Sequence, residues 1–476
     1  MTRPRWSGRR IALAPAGRAK GGKSYNWMLD KMQHCGPAAF SLILPGKPPA
    51  YFFTRPVTKN KLLMVVGAGA SIDFGLPRVD EVGQLINDHV QWQYPLAGTP
   101  ASNLYRHIED MVGQYWTTHV PKHLVRAPHY EDVLYAIFAL AAAYPAGIYT
   151  SPLAAVIQAT PFPDINLFGT QIKAVGKDEL NGLGVAAVDA IVDVFRARCA
   201  TAEKNRVTEF GRLETFVAAL QNEFDIAVVT MNYDNVMYRA FPGIETGFDP
   251  ATDRFDEKRI LQRTEWACML HLHGSVHFDM PFDPAMASGH DLHEIRWQPD
   301  INAAFAQNAS GRSSQRTPEG ADFPTSVVVA GYGKTMQMLR RPFRTYYSEL
   351  DRLVCGCDAA LFAGYGFGDA HLNAAFQSFR DSRRRPVVIL DYATKGSMTL
   401  SAGESGSRLA GALAQTLHTN PRTMRWLGWN FPHVVDDLID AREFEISGDL
   451  DTPLSVWYNG IMEACVHPDK VTAALS

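Results

Sequence analysis

The sequence predicts a doubly wound α/β fold, a mostly parallel sheet sandwiched between helices. Three observations carry that prediction. Continuous apolar runs of about five residues recur along the chain, as expected of strands buried on both faces. Helical patterns lie between them. Several runs stop at glycine, asparagine, aspartate or histidine, where sheets of this kind bind ligands beyond the carboxyl ends of their strands.

The first run is Leu62-Leu63-Met64-Val65-Val66, closed by Gly67. Ile226–Thr230, Ser326–Ala330, Ala359–Ala363 and Pro386–Leu390 repeat it, and Cys268–Leu272 is a less pure example. Helical patterning over Asp132–Ala143 and Leu180–Arg198 marks a helical insertion at about residues 85–222, because a simple crossover is far shorter. Polar, glycine-containing sequence from Ala287 to Asp322 marks a loop-rich insertion at about 280–324. The sheet domain is expected over 61–395. Residues 396–476 are expected to be a helical segment, with patterns at Ser407–His418 and Pro432–Phe444.

Composition excludes several classes. The chain has 476 residues, 46% hydrophobic and 20% charged, which fits a globular protein of two to four domains at roughly 100–200 residues each. Disorder, collagen and coiled coil do not describe it. A net charge of −3 argues against a protein that coats nucleic acid with its whole surface. Residues 1–60 nevertheless hold eleven Lys/Arg and one acid, Asp30, leaving 35 basic and 48 acidic residues elsewhere. This stretch reads as a basic arm, partly disordered, and direct contact with nucleic acid stays open. The pattern Gly17-Arg18-Ala19-Lys20-Gly21-Gly22-Lys23-Ser24 satisfies Walker A formally. It lacks the buried strand before it, since Ile11–Ala14 is closed by Pro15, and is read as part of the arm.

The six cysteines, at 35, 199, 268, 355, 357 and 465, form no C-x-x-C pair, so no zinc ribbon and no metal site is expected. No apolar segment follows the basic start, which points to reduced thiols in the cytoplasm. Leu134–Tyr144, the longest strongly apolar stretch, falls short of the roughly 20 residues that cross a bilayer and reads as a buried helix.

The chemistry sits at the run ends. Gly67-Ala68-Gly69-Ala70-Ser71, followed by Asp73, Gly75, Leu76 and Pro77, lets the backbone turn tightly beside a pyrophosphate. Its spacing is not that of a dehydrogenase, for Ile72 stands where the third glycine would be. Thr230-Met231-Asn232-Tyr233-Asp234 offers an amide and a carboxylate for ribose hydroxyls or a water, although both residues also serve turns. In Leu270-His271-Leu272-His273-Gly274-Ser275, His271 reads as structural. His273 reads as a general base, with Gly274 opening space for a ligand. Gly364-Tyr365-Gly366-Phe367-Gly368-Asp369-Ala370-His371-Leu372-Asn373 is a second glycine loop, and Asp391 is an acid at the last strand end.

Taken together and in order, these four motifs resemble the sirtuin family, specifically its bacterial antiphage-defence branch that hydrolyses NAD. The resemblance spans about Lys61–Tyr392. It implies a Rossmann-like NAD site in which Gly67, Ala68, Gly69 and Ser71 meet the phosphates and Asp73, Leu76 and Pro77 also bind the cofactor. Asn232 and Asp234 would lie near the nicotinamide ribose, and His273 would be the catalytic base. Gly364, Tyr365, Gly366, Asp369 and His371 would line the cofactor, with Asp391 toward adenosine. Gly366 stands where relatives often carry serine.

The missing zinc ribbon, which supports the peptide cleft of deacylating sirtuins, favours water over acetyl-lysine as acceptor. The expectation is an NAD+ hydrolase that yields nicotinamide and ADP-ribose, held idle until phage infection triggers it. A homo-oligomer is expected, with an activating partner (an ATPase or a nucleic-acid-guided subunit) or a phage trigger. Trp426, Trp429 and Trp457 are offered as surfaces for such contacts, or as core. A protein deacylase, an ADP-ribosyltransferase and a non-catalytic NAD or ADP-ribose sensor stay open as alternatives.

Overall fold

A computed structural model describes residues 59–119, 127–144, 162–167, 171–280, 294–301, 314–316, 322–324, 326–331, 334–380, 384–396, 406–425, 427, 432–449 and 453–476. The basic arm with its Walker-like stretch, and Trp426 and Trp429, lie outside the described residues. Thr58–Ser476 forms one compact unit.

Its centre is a seven-stranded sheet. In chain order the strands are β1 (Asn60–Val66), β2 (Phe224–Thr230), β3 (Cys268–His271), β4 (Ala359–Ala363), β5 (Val387–Leu390), β6 (Glu445–Ile446) and β7 (Leu454–Trp457). Across the sheet they lie in the order β6-β7-β5-β4-β1-β2-β3. All pairings are parallel except β6 with β7. This is the doubly wound order, and its direction reverses between β1 and β4.

The register aligns the strand ends. Val66 pairs with Thr230 and Ala363, Thr230 with His271, Ala363 with Leu390, and Leu390 with Trp457. Six parallel strands therefore stop at one level, and their loops emerge along a single rim. Side chains alternate faces along a strand, yet Leu62–Val66, Ala359–Ala363 and Val387–Leu390 are buried throughout, so both faces are covered. Helix Phe343–Gly356 packs against β1 and β3, while helix Pro468–Leu475 packs against β4 and β5.

Among the described residues, five α-helices lie between β1 and β2: α1 (Val79–Val90), α2 (Leu104–His119), α3 (Tyr130–Ala143), α4 (Lys177–Asn205) and α5 (Val207–Glu223). A small antiparallel sheet of strands Pro95–Leu96, Thr99–Asn103, Ile165–Leu167 and Gln171–Lys173 lies among them. Helix α3 is the apolar stretch of the sequence. His129 caps it by accepting the Glu131 amide at 3.1 Å while Asp132 accepts the His129 amide at 2.9 Å. Leu134, Ile137, Phe138 and Ala141 are buried against α4 and its neighbours. None of the described helices is long and apolar enough to cross a membrane.

Two sequence expectations need correction. Ser326–Ala330 is buried but is not a strand of the sheet; it makes one isolated bridge, Val328 with Gly274. A continuous apolar run reports burial, and here burial comes from packing under the strand ends. The segment 396–476 is not wholly helical. Helices Gly406–Thr416 and Pro432–Ala441 are present, but β6 and β7 extend the sheet beyond β5. Trp457 lies inside β7, fully buried, and so offers no surface.

Candidate active site

Two glycine loops meet where the strand order reverses. Gly67 N donates to Ala363 O and Gly69 N to Gly364 O, each at 3.0 Å. A Cβ on Gly67 would stand 2.6 Å from Gly364 O, and one on Gly69 would stand 2.8 Å from Gly364 Cα. Gly364 itself has φ +57, and a Cβ there would meet the Ala70 nitrogen at 2.1 Å. Mutual approach of the two backbones is a sufficient reason for all three glycines.

Beneath the first loop lies a buried polar group. The Asn232 side-chain amide donates to Gly67 O at 2.9 Å and to Ser71 Oγ at 3.0 Å. Asp234 accepts the Val236 amide at 3.0 Å, which is an Asx turn, and is hydrogen-bonded by Ser71 and Asn232. Complete burial pushes Asp234 above the usual carboxylate range, against those hydrogen bonds. Turn chemistry and site chemistry thus coincide at this pair.

His273 follows β3. Leu272 N donates to Thr230 O at 2.9 Å, which holds the loop to the end of β2. Gly274 has φ +104, and a Cβ on it would stand 2.2 Å from Val327 O. Val329 N donates to His273 O at 2.8 Å, and the Tyr233 hydroxyl reaches Val329 O at 3.3 Å. The glycine therefore admits the 326–331 strap, not a ligand as the sequence suggested. His273 is left only 6% exposed.

The imidazole faces a charged chain. Its Nε2 is 3.2 Å from Asp369 Oδ2, close but off the line of a good hydrogen bond. Lys334 Nζ lies 3.0 Å from the same oxygen and 3.4 Å from Glu131 Oε1. The other Asp369 oxygen caps helix Ala370–Ala375 by accepting the Leu372 amide at 2.9 Å. Burial and the Lys334 ammonium lower the proton affinity of His273, while Asp369 and Glu131 work the other way. Burial would raise Asp369, but His273, Lys334 and the Leu372 amide outweigh it and hold the carboxyl well below its usual range. At neutral pH the pair is a neutral imidazole beside a carboxylate.

The remaining expected residues divide. Tyr365 donates to Asn373 Oδ1 at 2.7 Å, and Asn373 donates to Phe367 O at 2.8 Å, bracing the second glycine loop. Gly366 and Gly368 have open space beside them. Leu76 and Pro77 are buried next to Gly75, whose φ is +83. His371 is exposed. Asp73 is exposed, with the Met462 amide and Arg206 beside its carboxyl. Asp391 accepts the Tyr392 amide at 2.7 Å on the same rim, beside a cavity of about 330 Å³ lined in part by Tyr392, Lys395 and Asn459. His271 is buried, its ring nitrogens have no hydrogen-bond partner among the described residues, and its ring lies 5.7 Å from those of both Phe278 and Trp297.

Sequence reading missed Lys334 and Glu131. Each is a lone charge far along the chain from its partners, and no spacing rule connects them.

One family model matches part of the chain. Residues 226–402 match the SIR2-like domain. That stretch runs from β2 through β5 and includes Asn232, Asp234, His273 and Asp369. No curated protein matches the chain. Among solved structures, a Sir2 homologue in complex with NAD is 10% identical, with 80% of this chain and 89% of that one covered at a TM-score of 0.28. Sir2Tm bound to a propionylated peptide is 10% identical over 71% and 83%, with a TM-score of 0.27. A further Sir2 enzyme is 12% identical over 76% and 94%, with a TM-score of 0.28. The α/β assignment rests on the strand order of the chain itself.

Proposed function

We propose that this chain hydrolyses NAD+ at the nicotinamide–ribose bond. What supports the reading most is the convergence of Asn232, Ser71 and Asp234 under one glycine loop with His273 on the adjacent strand end. An amide, a carboxylate and a neutral imidazole suit a ribose and a water. The Gly67 and Gly69 amides are already bonded to Ala363 and Gly364. The half-buried Ala68–Gly69 backbone and the open Gly366–Gly368 loop remain as the surface for the pyrophosphate.

The glycosidic bond breaks through an oxocarbenium-like state. Nicotinamide leaves with the bonding pair, and water adds at the anomeric carbon. Asn232 orients that water or the ribose, and neutral His273 accepts the proton released. The balance is NAD+ plus water giving nicotinamide, ADP-ribose and a proton. Burial of His273 keeps bulk water from the base.

The setting follows from the sirtuin-like resemblance: a cytoplasmic effector, self-assembled or held by a partner, that depletes NAD+ in an infected cell. Purified protein, alone and with candidate activators, should release nicotinamide and ADP-ribose. His273→Ala and Asn232→Ala should abolish release while far-UV circular dichroism is unchanged. Intact NAD+ under every condition overturns the reading. ADP-ribose recovered on protein, or an acyl-lysine consumed, makes the acceptor something other than water.

A further inference from the structure

Lys334 belongs to the helix Lys334–Met338 that follows the strap, outside every motif the sequence offered. Its ammonium is largely buried between two carboxylates that come from unrelated parts of the chain. Glu131 stands at the start of α3 in the helical insertion. Asp369 stands at the rim of the sheet, with His273 against the same oxygen that Lys334 meets. A buried lysine is costly unless its charge is matched.

We propose that Lys334 is a positioning residue for the His273 base, holding Asp369 in place and cancelling its charge, and tying that base to the helical insertion through Glu131. The proposal rests on the role given to His273 above. Asp369 alone, within 4 Å, would favour the imidazolium and remove the acceptor that catalysis needs. The ammonium on the same oxygen offsets it. The groups facing His273 are Asp369 from the β4 loop, Lys334 from its helix and Glu131 from α3. The Tyr233 phenol at the β2 end and the Tyr347 phenol of helix Phe343–Gly356 sense Asp369 as well. Moving the insertion would shift how the one ammonium is shared, and with it the protonation of the base.

Charge removal on either side of Lys334 should act with opposite sign, which a scaffold role would not produce. NMR titration of ¹³C-histidine-labelled protein should show the His273 pKa rising by about one unit or more in Lys334→Met. In Glu131→Gln it should fall, because Asp369 then has the ammonium to itself, and Lys334→Arg should stay close to wild type. The acid limb of the kcat profile should move in the same directions, with KM changed far less. Shifts of the same sign in Lys334→Met and Glu131→Gln, or none, overturn the proposal. If Lys334→Met fails to fold, the direction of the Glu131→Gln shift decides alone. A wild type that never cleaves NAD+ defeats the proposed function, while the NMR titration still tests Lys334.

Discussion

Asn232 donates a hydrogen bond to Ser71 across 161 residues of sequence, and the same amide holds the Gly67 carbonyl. One side chain thus ties the loop after β1 to the loop after β2. Replacing Asn232 with alanine leaves Gly67 O and Ser71 Oγ short of a buried donor, at a cost of about 1–3 kcal/mol. Asn232→Ala should lower the urea midpoint measurably and stop NAD+ cleavage. A variant of unchanged stability would show that the amide does not bridge the loops.

The two glycine loops make a sharper contrast. Gly364→Ala places a methyl 2.1 Å from the Ala70 nitrogen at a positive φ, so the β1 and β4 ends must separate. That variant should be recovered in poor yield or lose more than about 3 kcal/mol. Gly366→Ala, with nothing within 4 Å, should cost no more than about 0.5 kcal/mol. Equal behaviour in denaturant melts would contradict the close approach.

Acid sensitivity should trace to buried histidines. Burial lowers His271 to about 3 and His277 to about 4. Both are neutral in the folded chain and titrate near 6.5 when unfolded. Their contribution is complete above about pH 6.5 and is lost as pH falls toward 3–4. Asp279, raised to about 6 by burial, acts in the opposite sense between pH 3.8 and 6, and the two histidines together outweigh it. Unfolding free energy measured from pH 7 to 4.5 should fall, and His271→Phe should flatten the slope. An unchanged slope would remove His271 from the account.

Away from the rim, Glu349 is buried with Arg263 at 2.7 Å and Arg352 at 2.6 Å. Glu349→Ala strands the buried Arg263 charge and should destabilise by about 3–5 kcal/mol. Turnover per folded molecule should be retained, which separates this cluster from the site by one denaturation curve and one assay.

Much of the sheet was legible because β1, β2, β4 and β5 are buried on both faces and so read as unbroken apolar runs. The rim was legible for a related reason: Asn232, His273 and Gly364 stand within two residues of the ends of β2, β3 and β4. The same reasoning failed at Ser326–Ala330, where burial came without a strand. It missed β7, whose Leu-Ser-Val-Trp run is short and broken by serine. Lys334, Glu131 and Asp369 were not legible as a unit, since the lysine lies 203 and 35 residues from its two partners. Only the folded chain brings them together.

The common level at which the six parallel strands stop has a genetic consequence. Changes that abolish the proposed NAD+ cleavage should sort into two populations, which a screen of random variants for loss of that activity would reveal. Lesions in strand interiors would remove the polypeptide from the soluble fraction. Lesions in the first few positions past each terminus would leave it abundant and harmless, forming a narrow stripe along one border of the molecule.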